Sequence, residues 1–550
     1  MEVYTEFIPT YGDQRHWTLP YVLREQAARF PGKTFLSAPS WATEITYAEM
    51  LHTAESVARG LLDRGHAKGD RLILMMPNNP EYTLAWFGSS LAGMVEVPIN
   101  TAYRGAFFEH QVRTVSASGA VITADFVDRF VESRTACDSI HHIYVVGEDE
   151  ETTAACETLA QAGYTATSFT TLYSGGVATL PEVDYRDLGG IFFTSGTTGL
   201  SKGVAMSHSQ LFFFADQGAS LVRLTADDVY LSVGPLFHGN AQFLAAYPAL
   251  IKGATFVLHA KFSASQWTRW IRESGATVTN LVGVMSDFLW KQPPQHDDAD
   301  NDLRCVWAVP NPSLIAEEFK ARFGIEQLVE NFGLTEISMP ILTPYDRPRP
   351  PGAAGLEVSD WFDVRLVNPE TDEEVPLGEV GELVVRPKVP WTICSGYYNM
   401  PDKTAEAMRN CWFHTGDGLR KDADGWYYFV DRLKDALRRR GENISSYELE
   451  QAILSHPDVT ECAVVGVPAD GLGTEDEVMV VLVLRADAEV SVESFWEFCD
   501  RHLPAFAVPR FVKIARELPK TPSGKLQKAP LRAAGRAGAW DRNNPSTKDA

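Results

Sequence analysis

The chain has 550 residues, 45% hydrophobic and 22% charged, the balance of an ordinary globular protein, which excludes collagen, coiled coil and bulk disorder. Such a length exceeds one compact core, so a large domain plus a smaller one is expected. With 49 Lys and Arg against 72 Asp and Glu, the net charge is −23, a field that repels nucleic acid and anionic membrane.

Residues 1–16 carry no basic stretch followed by an apolar one, and no apolar run approaches the roughly 18 residues of a membrane span, so neither leader nor span is expected. Residues 19–30 read as a helix, 71–76 as a buried strand, 80–93 as a helix and 120–123 as a strand. This alternation runs to about residue 430 and predicts a large α/β domain with parallel sheets over 1–431. Clusters of Pro, Gly and Asp over 344–381, with alternating runs at 363–367 and 382–386, predict an antiparallel β-rich subdomain. After the charged connector 431–435 come a helix (448–455), strands (462–467 and 477–484), a helix (492–503) and a strand (511–515), a small α+β C-terminal domain at 432–550. Residues 541–550 are polar and expected to fray. Seven cysteines, odd in number and without a C-x-x-C pair, argue against a disulfide framework or structural zinc and for a cytoplasmic chain.

The sharpest local signal is Thr194-Ser195-Gly196-Thr197-Thr198-Gly199-Leu200-Ser201-Lys202-Gly203, directly after the apolar run Ile191-Phe192-Phe193. Glycines permit tight turns and close approach to an anion, hydroxyls and backbone N–H groups donate to phosphate oxygens, and Lys202 adds a fixed positive charge. The design is a phosphate-binding loop. It is not a Walker A loop, which needs Gly directly before Lys, where Ser201 stands.

Other motifs surround it: Thr46-Tyr47, Pro235-Leu236-Phe237-His238-Gly239, Asn331-Phe332-Gly333-Leu334-Thr335-Glu336, Gly381-Glu382-Leu383, His414-Thr415-Gly416-Asp417, Asp431-Arg432 and Pro519-Lys520-Thr521-Pro522-Ser523-Gly524-Lys525. The aromatic Phe332 can stack on adenine, Thr335 can donate to an α-phosphate, and Glu336 offers the hard carboxylate oxygen that Mg²⁺ takes. Taken alone, 331–336 reads as a strand-to-helix turn with Glu336 capping the helix. Asp417 can accept bonds from two vicinal ribose hydroxyls, and Lys525 sits in a Pro/Ser/Gly loop suited to carrying an ammonium into a site.

This ordered set resembles the adenylate-forming superfamily of acyl-CoA synthetases, nonribosomal-peptide adenylation domains and firefly luciferase, over nearly the whole chain. The resemblance implies an ATP-dependent acyl-CoA ligase with a small domain that is mobile about a hinge near Lys434. It implies nucleotide contacts from Thr194, Ser195, Gly196, Thr197, Thr198, Lys202, Asn331, Phe332, Gly333, Thr335, Asp417 and Arg432, and Mg²⁺ at Glu336. Lys525 is then the catalytic lysine of adenylation, and His238 orients the carboxylate between acyl pocket and thiol tunnel. In the second half-reaction Gly441 lets the pantetheine arm of CoA pass, with Arg438, Arg439 and Arg440 as a basic entrance. Phe213, Trp290, Val309 and Trp391 are candidates to line the acyl pocket. Departures are local: Ser201 stands where the family usually has Pro, and Arg438 and Arg440 where apolar and Gly residues are common.

The texture of 97–105 and 441–445 is most similar to crotonobetaine/carnitine-CoA ligase-like members, without fixing the acid. Two other readings stay open here: an enzyme loading a carrier protein or adenylating an amino acid, and a non-enzymatic nucleotide-binding protein. Residues 432–550 hold 17 Lys and Arg against 18 Asp and Glu, whereas 501–548 hold 11 against 2. A basic segment carrying Lys525 is therefore expected to meet the polyanionic substrates despite the acidic whole.

Overall fold

A computed structural model describes the chain except residues 1, 195–200, 283–284, 310, 313–314, 433–435, 440–441, 469–475, 486–487, 489, 520–525, 527 and 549–550. Two compact units result: residues 1–101, 112–193 and 203–431 form the first, and residues 102–111, 194–202 and 432–550 the second. Besides 432–550, the second unit takes in two short stretches that the sequence assigns to the large domain.

Two seven-stranded sheets organise the first unit. One has the order Gln327–Val329, Cys305–Val309, Val278–Val282, Val229–Ser232, Thr255–Leu258, Thr34–Ala38, Thr43–Thr46, parallel except for its last, antiparallel pair. The other runs Thr165–Ser168, His142–Val146, Gly119–Thr123, Arg71–Met75, Val95–Pro98, Leu188–Thr194, Lys202–Ser207, with parallel pairing from the first through the sixth. Open parallel sheets bind ligands at the carboxyl ends of their strands, where the chain turns away in opposite directions from neighbouring strands. Residues 195–200 follow the carboxyl end of Leu188–Thr194, and 233–238 follow that of Val229–Ser232, which has a different crossover partner on each side.

Local chemistry sets the element bounds. Helix Leu19–Arg29 starts where the Thr18 side chain accepts from the Tyr21 N–H, with Pro20 in its first turn. Helix Tyr47–Asp63 starts at a reciprocal capping box, in which Thr46 N–H donates to Glu49 Oε2 (2.9 Å) and Glu49 N–H to Thr46 Oγ1 (3.2 Å). Thr46-Tyr47 is thus the helix entry that the sequence motif suggested. Helices Pro80–Leu91 and His208–Leu221 are buried along nearly their whole length, which places the core around them.

An antiparallel region follows, as expected, but it is wider than 344–381. It comprises Asn331–Leu334, Ser338–Leu342 and Leu356–Glu357, then a four-stranded sheet of Phe362–Val367, Val380–Pro387, Phe413–Lys421 and Tyr427–Arg432. Its first hairpin escaped the sequence because Ser338–Leu342 is buried on both faces and shows no alternation.

In the second unit, Val459–Pro468, Asp476–Leu484, Phe511–Ile514, Trp540–Asp541 and Asn544–Lys548 form one sheet, and helices Ser446–Leu454 and Val492–His502 contribute Leu449, Ile453, Phe495, Trp496 and Cys499 to its core. Within the stretch expected to fray, the described residues 541–548 instead build strands. Arg510 binds Asp541 through two bonds (3.0 and 2.9 Å) and fixes the last two strands. No helix among the described residues is long and apolar enough to cross a membrane.

One consequence for stability concerns two buried imidazoles. His66, bonded to Ser118 Oγ (2.8 Å) and Tyr144 OH (3.1 Å), is held down to about 4 by burial first and the neighbouring His142 second. Burial likewise lowers His208 to about 4. Both are neutral when folded, whereas the unfolded chain protonates them near 6.5, so stability is complete above about 6.5 and falls as pH drops toward 4. The thermal midpoint of wild type is expected to decline through that window, and that of His66→Gln to decline less; equal slopes would contradict this role.

Candidate active site

In the first unit, the 331–336 motif occupies a tight β-hairpin, not a strand-to-helix turn, so Glu336 caps no helix. The pairing shifts register between Phe332 and Leu334. A side chain at Gly333 would collide with the Ser338 carbonyl, which explains the glycine sterically. Trp307 Nε1–H donates to Asn331 Oδ1 at 2.9 Å, tying the hairpin to the parallel sheet. The Phe332 ring faces Phe429, with centroids 6.3 Å apart and planes at 25°. Sequence reasoning passed over Phe429, whose 48% exposure is high for so large a ring.

Glu336 is 6% exposed. Tyr397 O–H donates to its Oε1 at 2.9 Å, and burial, with Glu336 beside it, raises the Tyr397 phenol and keeps it a donor. Gln210 Nε2 donates to the carbonyls of Thr335 (2.9 Å) and Glu336 (3.3 Å), and the Cys394 N–H to that of Glu336 (2.7 Å). Two side chains and one backbone N–H, all distant in sequence, thus fix a two-residue turn. None belongs to a motif, so only spatial proximity finds them. Among the described residues no three His, Cys, Asp or Glu gather as a self-sufficient metal centre. A single oriented carboxylate fits Mg²⁺, which is typically held by one or two carboxylates together with substrate phosphates.

Asp417, 2% exposed, follows Gly416, whose φ of +73° suits glycine. Glu382 of the Gly381-Glu382-Leu383 motif shapes this bulge in strand Phe413–Lys421: its Oε1 accepts from Gly416 N–H (2.9 Å), and its Oε2 faces His414 Nδ1 (3.0 Å) and Arg409 (3.2 Å). Burial pushes the Glu382 carboxyl up, but the bonds from His414, Gly416 and Arg409 prevail and hold it below the usual range. Asp417 N–H in turn donates to Thr415 Oγ1 (3.1 Å), whose hydroxyl donates to the Leu383 carbonyl (2.7 Å). Glu382→Ala is expected to raise the KM for ATP by about tenfold, the worth of a lost charge-assisted hydrogen bond, and to leave the KM for the acid unchanged. Initial rates with each substrate varied in turn decide this, and equal rises in both would contradict it.

His238 is half-buried at the start of the short helix Gly239–Ala241, with its ring 4.8 Å from that of Phe237. The acyl-pocket expectations divide. Phe213 is fully buried among Phe7, Trp17, Trp361 and Phe362, so it is plain core. Trp290 packs against Phe319 beneath the Arg322 guanidinium. Val309 lies at the carboxyl end of its parallel strand, and Trp391 is 38% exposed.

In the second unit, Thr194 and Lys202 end and begin the strands flanking 195–200. Ser201 is held by His110 Nε2 on its carbonyl (2.8 Å) and by Gln111 Nε2 on its hydroxyl (3.3 Å). The residue that departs from the usual Pro is thus anchored by side chains that no motif marks. Arg439 does not join a basic entrance. It is 7% exposed, paired with Glu477 (2.7 Å) and bonded to the carbonyls of Val508 (2.7 Å) and Phe506 (3.1 Å). Ser195, Gly196, Thr197, Thr198, Lys434, Arg440, Gly441 and Lys525 lie outside the described residues, as do the side chains of Arg432 and Arg438.

The AMP-binding enzyme family matches residues 23–398, and the AMP-binding enzyme C-terminal domain matches residues 448–525. Crotonobetaine/carnitine–CoA ligase of Salmonella typhimurium is 33% identical over 506 residues, covering 90% of this chain and 95% of that relative. The structure of the Mycobacterium tuberculosis fatty acyl CoA synthetase is similar with a TM-score of 0.66 at 27% identity, over 95% of this chain and 99% of that one. The o-succinylbenzoate CoA synthetase of Bacillus subtilis, solved with a product analogue, has a TM-score of 0.76 over 93% of this chain and 98% of that one; at 23% identity its likeness is one of fold. This chain belongs to the AMP-binding enzyme family.

Proposed function

We propose that the chain is an AMP-forming acid–thiol ligase that uses ATP to activate a carboxylic acid as acyl-AMP and then transfers the acyl group to CoA. The observation that carries this reading is the buried Glu336 carboxylate, held by Tyr397 on the hairpin that also bears Phe332. A carboxylate ion is a poor acyl donor; joining it to the α-phosphate creates a good leaving group, with pyrophosphate departing first and AMP second.

In the first half-reaction Phe332 stacks on adenine, Asp417 accepts from the ribose hydroxyls, and Thr335 donates to the α-phosphate. Thr194, Ser195, Gly196, Thr197, Thr198 and Lys202 take the outgoing phosphates, while Asn331 and Gly333 hold the adenine-facing hairpin in shape. Glu336 and the ATP phosphates would hold Mg²⁺, which supplies Lewis-acid neutralisation of phosphate charge. Lys525 offsets negative charge as the carboxylate oxygen attacks phosphorus, with His238 orienting the acid and Arg432 contacting the nucleotide. In the second, the chain turns about Lys434, Gly441 gives the pantetheine arm passage, Arg440 pairs with CoA phosphate, and the thiol sulfur attacks the acyl carbon. We place the enzyme in the cytoplasm, since no disulfide links the seven cysteines, all among the described residues.

A panel of trimethylammonium, aliphatic and aromatic acids, incubated with ATP and CoA and scored for AMP and for thioester by mass, tests the reading. At least one acid is expected to give both products in equal amounts. Acyl-AMP and pyrophosphate without thioester would move the assignment to carrier loading, and nucleotide binding with no acyl-AMP, AMP or thioester would overturn the enzymatic reading.

A further inference from the structure

Behind the segment that carries His238 lies a group of buried polar side chains with no part in adenylation as described. Glu96, on strand Val95–Pro98, is 1% exposed, and neither of its carboxyl oxygens has a hydrogen-bond partner. It forms no ion pair among the described residues, and burial raises its carboxyl far above the usual range, so the acid is neutral. Its polar neighbours are the Tyr82 hydroxyl and the Gln242 amide, the latter facing the carboxyl outside strict bonding geometry. Tyr82 OH and Gln242 Oε1 are likewise buried and unpartnered.

Gln242 reaches the site through its other amide atom. Its Nε2 donates to the Leu236 carbonyl at 2.8 Å. Asn78 Oδ1 accepts from the Leu236 N–H at 2.7 Å, while Asn78 Nδ2 donates to the Gly234 carbonyl at 2.8 Å. Two buried amides therefore grip the peptide running into His238. Gln242 also begins a π-helical turn, Gln242–Ala246, directly after Gly239–Ala241, a rare irregularity that is frequent at functional sites. Nothing in the fold needs an acid at position 96, because unpartnered buried polar groups destabilise and apolar groups of similar shape are tolerated or better. Local rules broken at such a place mark a functional demand.

We propose that Glu96, backed by Tyr82, is a positioning residue for acid activation: its carboxyl sets the Gln242 side chain and, through Leu236, the peptide that presents His238 to the carboxylic acid. This inference rests on the ligase reading. It locates the effect on the acid, because the gripped peptide belongs to the His238 motif and not to the hairpin bearing Phe332 and Glu336.

The test compares Glu96→Leu, Glu96→Gln and Gln242→Leu with wild type in the full chain, using an acid that wild type activates. Glu96→Leu is expected to unfold at the wild-type temperature or above and to keep its KM for ATP, while its KM for the acid rises about tenfold as the Leu236 peptide loses its fixed position. Glu96→Gln, which keeps the shape and the donor–acceptor pair of a neutral acid, is expected to restore the acid KM. Gln242→Leu is expected to reproduce the Glu96→Leu defect, with the double variant no worse than either, as members of one chain of contacts are non-additive. An unchanged acid KM in Glu96→Leu would overturn the proposal, and so would a lowered unfolding temperature with equal losses toward acid and ATP. Failure of wild type with every acid would instead remove the ligase reading itself.

Discussion

Replacing Lys525 with alanine is expected to slow acyl-adenylate formation by about a thousandfold, the scale on which a preorganised charge-stabilising group acts. Attack of CoA on supplied acyl-AMP is expected to continue at the wild-type rate. The asymmetry follows from where charge develops. As the carboxylate meets the α-phosphate, negative charges converge and one flexible ammonium offsets them; in thiolysis, negative charge moves away onto AMP. Gly441→Leu is expected to show the reverse pattern, because a side chain there obstructs the pantetheine arm and leaves the first step alone. Pyrophosphate release, measured beside thioester formation from synthetic acyl-AMP, separates the two. Loss of only the first half-reaction in both variants would contradict the division of labour between these positions.

Glu336→Gln is expected to have the next largest effect. The amide matches the carboxylate in shape and still accepts from the Tyr397 hydroxyl, so the hairpin persists, but the anionic oxygen for the cation is gone. The kcat/KM for ATP is expected to fall by about a hundredfold or more and the Mg²⁺ concentration for half-maximal rate to rise. AMP binding in a chelator is expected to be unaffected. Tyr397→Phe keeps the charge and loses only its orientation, so a fall nearer tenfold is expected. If Glu336→Gln held the wild-type Mg²⁺ response, Glu336 would not be the metal-holding carboxylate.

Helix Leu19–Arg29, strand Arg71–Met75 and helix Pro80–Leu91 fell within two residues of their sequence expectations, because Thr18, Pro20 and Asn79 announce helix starts and short apolar runs announce buried parallel strands. The motif residues Phe332, Glu336 and Asp417 could be singled out as candidates because their glycine or hydroxyl neighbours are themselves distinctive in sequence. Their supports were not. Tyr397, Gln210, Glu382 and Arg409 reach the site from other strands and helices, and only the tertiary fold makes them neighbours. The role of Glu382 was hidden in plain sight: the motif marks it, but only the bonds to Gly416 and His414 reveal that it shapes the bulge that carries Asp417.

Charge runs misled in one place. Arg438, Arg439 and Arg440 read as a single basic face, yet a strand sends alternate side chains to opposite sides. Arg439 accordingly points into its own domain and neutralises Glu477. Large apolar residues were equally ambiguous, since nothing local distinguishes a pocket wall from a core residue, and Phe213 proved to be the latter.

The central claim, that an acid is activated through a mixed anhydride with AMP, is tested most directly by oxygen transfer. An accepted acid labelled with ¹⁸O in its carboxyl group is turned over with ATP and CoA, and the AMP is analysed by mass. Attack of the carboxylate on the α-phosphate predicts AMP carrying a single heavy oxygen from the acid. Unlabelled AMP, formed alongside the thioester, would show that the acyl group never joined the α-phosphate and would contradict the account.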